Sequence, residues 1–254
     1  MPQPNLHQLT KKQHVFPEAS LKRFLNDKGF VNVGWSNGKS GYRKPGHSMF
    51  LSGGAWEQRS ETSSHEVETE FQNLANKIFG NTINSLNTEQ SKIATEMASI
   101  WLSRWYLKHN RSRDIELDMA PPEVTSKSFP EGFDSRDDYR DAAEKAGLVA
   151  VGSDGSVPGR FQSWPRFRML KARISGQLEG SYWGIIRTRE AEFIVPDVSL
   201  DGILPISPNV LLIAGKTDII ASCDDVAELN RRMKAGSRKW YFAKDLKQSL
   251  FPKS

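Results

Sequence analysis

The sequence has a single cysteine, Cys223, among 254 residues, which excludes an intramolecular disulfide and any cysteine-built zinc site. It contains no run of about 20 apolar residues, so no membrane-spanning helix is expected. The opening MPQPNLHQLTKKQ has neither an apolar core nor a small-residue cleavage site, so secretion is not expected and the cytoplasm is the expected compartment. There is no G-x-x-x-x-G-K-[ST], no H-E-x-x-H, no C-x-x-C pair and no internal repeat. His7, His14, His47, His65 and His109 are scattered, so no local metal site is expected, and the question of a cofactor stays open.

What is present is a mixed, moderately polar chain. Hydrophobic residues make up 37% and charged residues 26%, enough apolar surface for a folded core and a single domain over 1–254. The net charge of +5 is unevenly placed. From Arg231 to Ser254 eight basic residues, among them Arg231, Arg232 and Lys239, face one acid, Asp245. From Arg160 to Arg173 five basic residues meet no acid, and Phe161 and Trp164 interleave with Arg160 and Arg166. Such clusters suit a polyanion, and interface energy concentrates in Trp, Tyr and Arg. These seven residues are the candidate binding set; a solvated surface and ordinary core packing are the competing readings.

In chain order, residues 8–16 read as extended, and Pro17 opens a short helix to Leu25 with Leu21 and Phe24 inward. VNVGW (31–35) reads as a strand, and Asn37–Gly38 turns it into a hairpin. Residues 52–64 read as loop. Ser63 with Glu66 predicts a capped helix start, Val67, Phe71, Leu74 and Ile78 line its face, and Gly80 stops it. Asn87 with Gln90 predicts a second helix to His109, with Ile93, Met97, Ile100 and Trp101 buried. Residues 115–130, with Pro121–Pro122, read as a crossing loop, followed by a helix from Ser135 to Gly147 and a hairpin around Asp154–Gly155. A helix follows Pro165, with Phe167, Leu170 and Ile174 inward.

Residues 181–215 predict three β-rich segments; Pro196, Pro205 and Pro208 confine the middle to loop or sheet edge. Asp197 and Asp201 fall in that loop. Ser222 caps a helix carrying Val226, Leu229 and Met233, and RKWYFAKDL (238–246) predicts a last strand. The class is α+β, a central helical pair packed on a mostly antiparallel sheet of N-terminal and C-terminal strands. The three parts run over 1–62, 63–147 and 148–254.

Two places could carry chemistry. Continuing the buried stripe of the second long helix lands on Arg104, which either snorkels to solvent at the helix end or points into a polar site, where it needs carboxylate or carbonyl partners. Beyond it, Trp105, Tyr106, Lys108, His109, Arg111 and Arg113 form a basic and aromatic mixture able to stack bases and pair phosphates. The second place pairs Pro196–Asp197 with Asp245–Leu246–Lys247, which imitates the PD…(D/E)xK constellation of metal-dependent nucleases. The acidic DIELD (114–118) reads as solvated loop.

The segment HVFPEASLKRF fits H-x-x-P-x-x-x-L-x-x-F through His14, Pro17, Leu21 and Phe24. It resembles the opening signature HYVPxFYLRxF of a large bacterial family of unknown function. VETEFQNLANKI, LNTEQSKIATEMASIWLSRW, FIVPDVSL (the family's FITSDNPV), ILPISPNVLLIAG (its PLSP strand), AELN and RKWYFA follow in the family's order. The resemblance covers nearly the whole chain and marks His14, Arg104, Asp197, Ser207 and Asn230. Val195–Pro196 and Val198–Ser199 replace the polar Thr–Ser and Asn–Pro beside Asp197. It implies a mobile-element or prophage-associated protein in phage exclusion, or a toxin-like one, acting on a nucleic acid or on a phage or host replication protein. Two readings follow: a binding protein without chemistry, or a hydrolase acting on nucleic acid. In the second, Asp197 would be base or metal ligand, His14 a general acid/base and Arg104 a phosphate clamp. Neither reading requires a membrane, and oligomerisation stays open.

Overall fold

The structure, a computed structural model, describes residues 9–117, 136–149, 151, 155–200 and 202–250. Pro121–Pro122, the Ser135 cap, Asp118, Asp154, Asp201, His7 and Lys253 lie outside the described residues.

The first part of the chain gives β1 (Lys12–His14), α1 (Glu18–Lys22), β2 (Val31–Trp35), β3 (Ser40–Arg43) and β4 (Leu51–Gly53). Two long helices follow, α2 (Gln58–Phe79) and α3 (Thr88–His109), then β5 (Ile115–Glu116) and α4 (Arg136–Lys145). Next come β6 (Ser156–Val157), a 3-10 turn (Gly159–Gln162) and α5 (Ser163–Gln177). The remainder is β7 (Trp183–Arg187), β8 (Val195–Pro196), β9 (Ile203–Ser207), β10 (Val210–Ala214), β11 (Ile219–Ile220), α6 (Cys223–Gly236), β12 (Trp240–Ala243) and α7 (Leu246–Leu250).

These elements make an α+β fold with two four-stranded sheets, ordered β3-β2-β12-β8 and β11-β7-β10-β9, and two-stranded ribbons β1-β4 and β5-β6. Among the described residues all pairings are antiparallel except β11 with β7. The first sheet does join N-terminal to C-terminal strands: Trp35 lies opposite Trp240, and Asn32 opposite Ala243.

Period-two alternation sorts the strands between two apolar clusters. Trp183, Ile185, Leu204, Ile206, Val210, Leu212 and Phe242 belong to the larger cluster, with Phe16, Phe24, Phe71, Ile100 and Trp101. Their neighbours Ile186, Ile203, Leu211 and Tyr241 belong to the second, with Val226 and Met233 of α6. The inner strands of both sheets are therefore covered on both faces, by α2 and α3 on one side and α6 on the other, while the edge strands β3 and β11 stay largely exposed. That is why VLLIA and WGII read as unbroken apolar runs. Gly34 is needed where it stands: a Cβ there would meet the Tyr241 ring at 2.6 Å.

Proline positions agree with their missing donors. Pro205 lies in β9 and Pro196 in β8, both edge strands. Asn87 and Gln90 form a reciprocal cap at the start of α3, and Ser222 with Asp225 does so for α6.

Several expectations need correction. Helix α2 starts at Gln58, not Ser63: its N-cap Glu57 gives no side-chain bond, and Ser63 and Ser64 hydroxyls return to the Ser60 carbonyl within the helix. Residues 52–64 are thus mostly helix. The α1 helix ends at Lys22 rather than Leu25, because tight turns take over at Arg23 and Phe24. Among the described residues of the segment 148–159, β6 pairs with β5, which the sequence placed in a crossing loop. Residues 191–194 are buried but carry no ladder. The last strand stops at Ala243, where Asp245 turns the chain into α7.

Candidate functional site

Helix α3 is the element from which the candidate residues project. It is buried around much of its circumference, including Ala94, Met97, Ala98, Ile100, Trp101 and Leu107, so its polar positions have few outlets.

Arg104 is 2% exposed, with Nη2 3.1 Å from Glu61 Oε2 and 2.6 Å from Glu68 Oε1. Its Nη1 donates to the His14 carbonyl at 3.4 Å, and its guanidinium lies 5.7 Å from the Trp56 ring centre. Trp56 Nε1 donates to the other oxygen of Glu61 at 2.6 Å. Arg104 thus spends its charge inside the molecule, fastening α2 to α3 and to β1. His14 is half-buried, and burial is the main cause that holds its pKa below the usual 6.5. Arg104 acts in the same direction, against Glu18 and Glu61.

Asp197 stands elsewhere. Its Oδ1 accepts the Arg238 N–H at 2.7 Å and its Oδ2 the Lys239 N–H at 2.9 Å, while its own N–H donates to the Trp240 carbonyl at 3.0 Å. The carboxylate is a turn clamp at the start of β12. The structure brings His14 and Arg104 together, but through the His14 main chain; Asp197 is hydrogen-bonded to neither. Asp245 caps α7 through the Lys247 N–H at 2.8 Å, and its own N–H donates to Glu192 at 2.8 Å. The PD…DxK constellation is not assembled. Among the described residues no group of three or more His, Cys, Asp or Glu could hold a metal ion. Ser207 is fully buried, and Asn230 is spent on the Ile194 N–H and the Glu192 and Ser249 carbonyls.

One motif escaped the sequence reading. Gly34-Trp35-Ser36-Asn37-Gly38 satisfies G-x-S-x-G, the pattern of a hydrolase nucleophile elbow. Here it spans the β2–β3 hairpin, strand to strand, with Gly38 at φ 83° in the turn. An elbow requires a helix after the serine, so Ser36 is a turn residue.

Basic and aromatic groups do converge at the C-terminal end of α3. The Arg238 guanidinium lies 5.4 Å from the Trp105 ring centre, and the Trp105 and His109 rings are 4.5 Å apart. Lys108 donates to the Met49 carbonyl at 2.7 Å. Burial first, then Arg111 and Lys239, push its pKa below the usual 10.5, with Asp197 opposing. Arg166 donates to Ser112 at 2.6 Å and lies 5.7 Å from the Tyr106 ring centre. Five basic residues from α3, its exit, α5 and the approach to β12 therefore surround Trp105, Tyr106 and His109. Asp197 fixes the Arg238–Lys239 end of this group.

The remaining candidates divide. Arg160 is tied to Glu144 at 2.7 Å, and Phe161 is buried. Trp164 is half-buried against the core, with Arg59 and Arg168 near its ring. Arg231 pairs with Glu228 on α6 and Arg232 is exposed there. Helix α6 covers the sheet face opposite α3, which sets Arg231 and Arg232 apart from the α3 end, whereas Arg166, Arg238 and Lys239 lie beside it. The sequence reading missed Glu61 and Glu68. Their seven-residue spacing, two helical turns on the face of Ser64 and Phe71, is the signal that would have found them.

Among the described residues no helix is long and apolar enough to cross a membrane. Comparison with protein-family models, with curated proteins and with solved structures finds no match to this chain.

Proposed function

We propose that this protein acts by binding single-stranded nucleic acid at the C-terminal end of α3, without chemistry of its own. The observation that carries the reading is Arg238 over Trp105 with Lys108, Arg111 and Lys239 beside it. These groups come from separate parts of the chain, and their mutual repulsion costs free energy that an anion would relieve. Aromatic faces of this kind stack bases without regard to sequence, and the cations pair with the phosphates between them. A role in phage exclusion or toxicity, through a nucleic acid or a nucleic-acid-processing protein, rests on the resemblance of the sequence segments alone. The nuclease reading lacks support, because the Asp197 carboxylate is occupied by two main-chain N–H groups.

The test is fluorescence anisotropy with labelled single-stranded DNA, single-stranded RNA and duplex DNA, from about 50 to 200 mM salt. Binding of the single strands that weakens steeply with salt, and is lost in Arg238→Ala/Lys108→Ala, is expected. No binding at low salt, or binding that the double substitution leaves intact, overturns the reading.

A further inference from the structure

A separate feature lies at the other end of α3. Between its N-terminal half and α5 is a groove of about 920 Å³. That is the size of a small-molecule site, where apolar walls usually carry a few convergent polar groups. Here the walls are aromatic. Trp164 and Phe167 line the groove with rings 6.4 Å apart and inclined by only 15°, and Tyr182, 57% exposed, lines it too.

Among the polar groups in the groove are the Glu179 carboxylate and several groups that are already paired. Lys171 is paired with Glu96 at 3.1 Å, Ser175 with Ser99 at 2.9 Å, and Thr95 accepts the Trp183 indole N–H at 2.9 Å. These are already satisfied. Lys92 and Arg168 line the same groove and have no carboxylate partner among the described residues. Arg168 lies 5.8 Å from the Trp164 ring centre. Ser91 also lines the groove.

We propose that this groove binds a small planar aromatic anion, its ring against Trp164, Phe167 and Tyr182 and its anionic group on Arg168 and Lys92. The ring supplies the apolar burial and stacking; the anion pairs with the two free cations. Neither half of the ligand alone meets both requirements. The site shares no residue with the surface at the far end of α3, so it stands whether or not that surface binds nucleic acid.

The test uses the full chain and the fluorescent dye 8-anilinonaphthalene-1-sulfonate, whose planar naphthalene carries one anion. One saturable site per chain is expected. Arg168→Ala and Lys92→Ala should each weaken it by about tenfold, the worth of a charge-assisted hydrogen bond. Both side chains sit at the groove rim, so thermal midpoints should be unchanged. Lys108→Ala should leave dye binding as it was. Adenosine monophosphate displacing the dye, where adenosine and inorganic phosphate do not, identifies a nucleotide as the natural class. Displacement by benzoate but not by the nucleotide identifies an aromatic carboxylate. No saturable dye site, or one indifferent to both substitutions, overturns the proposal.

Discussion

Asp197 and Asp245 stand at opposite ends of β12, each with its carboxylate turned onto backbone N–H groups. Four strand residues separate them, roughly 13 Å at about 3.3 Å per residue, so one metal ion cannot reach both. Asp197→Asn replaces a two-oxygen acceptor with an amide whose NH₂ would face an N–H. It should cost about 1.5–3 kcal/mol of stability, the worth of hydrogen bonds to a charged group. Urea denaturation checks this. A variant of full stability that nonetheless loses its biological effect would restore Asp197 as a functional acid.

Arg104 is the buried centre of the α2–α3 contact, and its removal strands two carboxylates. Arg104→Ala should destabilise by about 3–5 kcal/mol, as when one partner of a buried ion pair is deleted. Glu68→Gln should cost less, since Glu68 is 23% exposed and Glu61 still pairs with the guanidinium. Chemical denaturation of both variants separates the cases. A loss under about 1 kcal/mol for Arg104→Ala would mean the cluster rearranges freely.

Protonation of His14 should make the fold acid-sensitive. Its pKa is held below 6.5 in the fold, so below that pH the unfolded chain binds the extra proton more readily. The stability due to His14 is whole above pH 6.5 and is lost as pH falls through the folded value. Glu57 and Glu192 act in the opposite sense: burial raises both above 4.5, so their ionisation weakens the fold as pH rises through the raised values. His14→Gln should flatten the stability profile just below pH 6.5, whereas Glu192→Gln should stabilise at neutral pH and be without effect below 4.5. Thermal midpoints across pH test both, and an unchanged slope in His14→Gln would exclude the histidine as the cause.

The cations around Trp105 make a prediction about salt rather than affinity alone. Each of Lys108, Arg238 and Lys239 replaced by Ala should reduce the slope of log K against log salt by about one, if each holds a phosphate. Arg231→Ala should leave the slope unchanged, because Arg231 lies on α6 beyond the sheet and is already paired. Equal effects at all four positions would point to general charge in place of a surface.

What could be read in the sequence was mostly local. Asn87 with Gln90 announces α3 because both halves of the cap lie within one turn. Pro205 announces an edge because its missing donor has no remedy inside a sheet. The start of α2 was hidden because Glu57 offers no cap and the serines after it resemble a turn. The stripe through Ile100 and Trp101 pointed to Arg104 but left open whether it snorkels to solvent or is buried, because its partners lie on another helix. Asp197 looked like a functional acid in a loop; only the distant Arg238 and Lys239 reveal it as a clamp, and such long-range pairing leaves no trace in spacing.

The pairing of β2 with β12 has a consequence in time. The two strands are roughly two hundred positions apart, so at about 5–20 residues per second a ribosome needs on the order of 10–40 s between them. Throughout that interval the β2 edge of the β2–β3 hairpin lacks its partner, and an apolar face carrying Val31 and Val33 stays uncovered. A lone hairpin is marginal in water, so the nascent chain is most open to aggregation and to chaperone capture during this wait. Synonymous codon changes that slow elongation between the two strands should therefore lower soluble yield without altering a single residue.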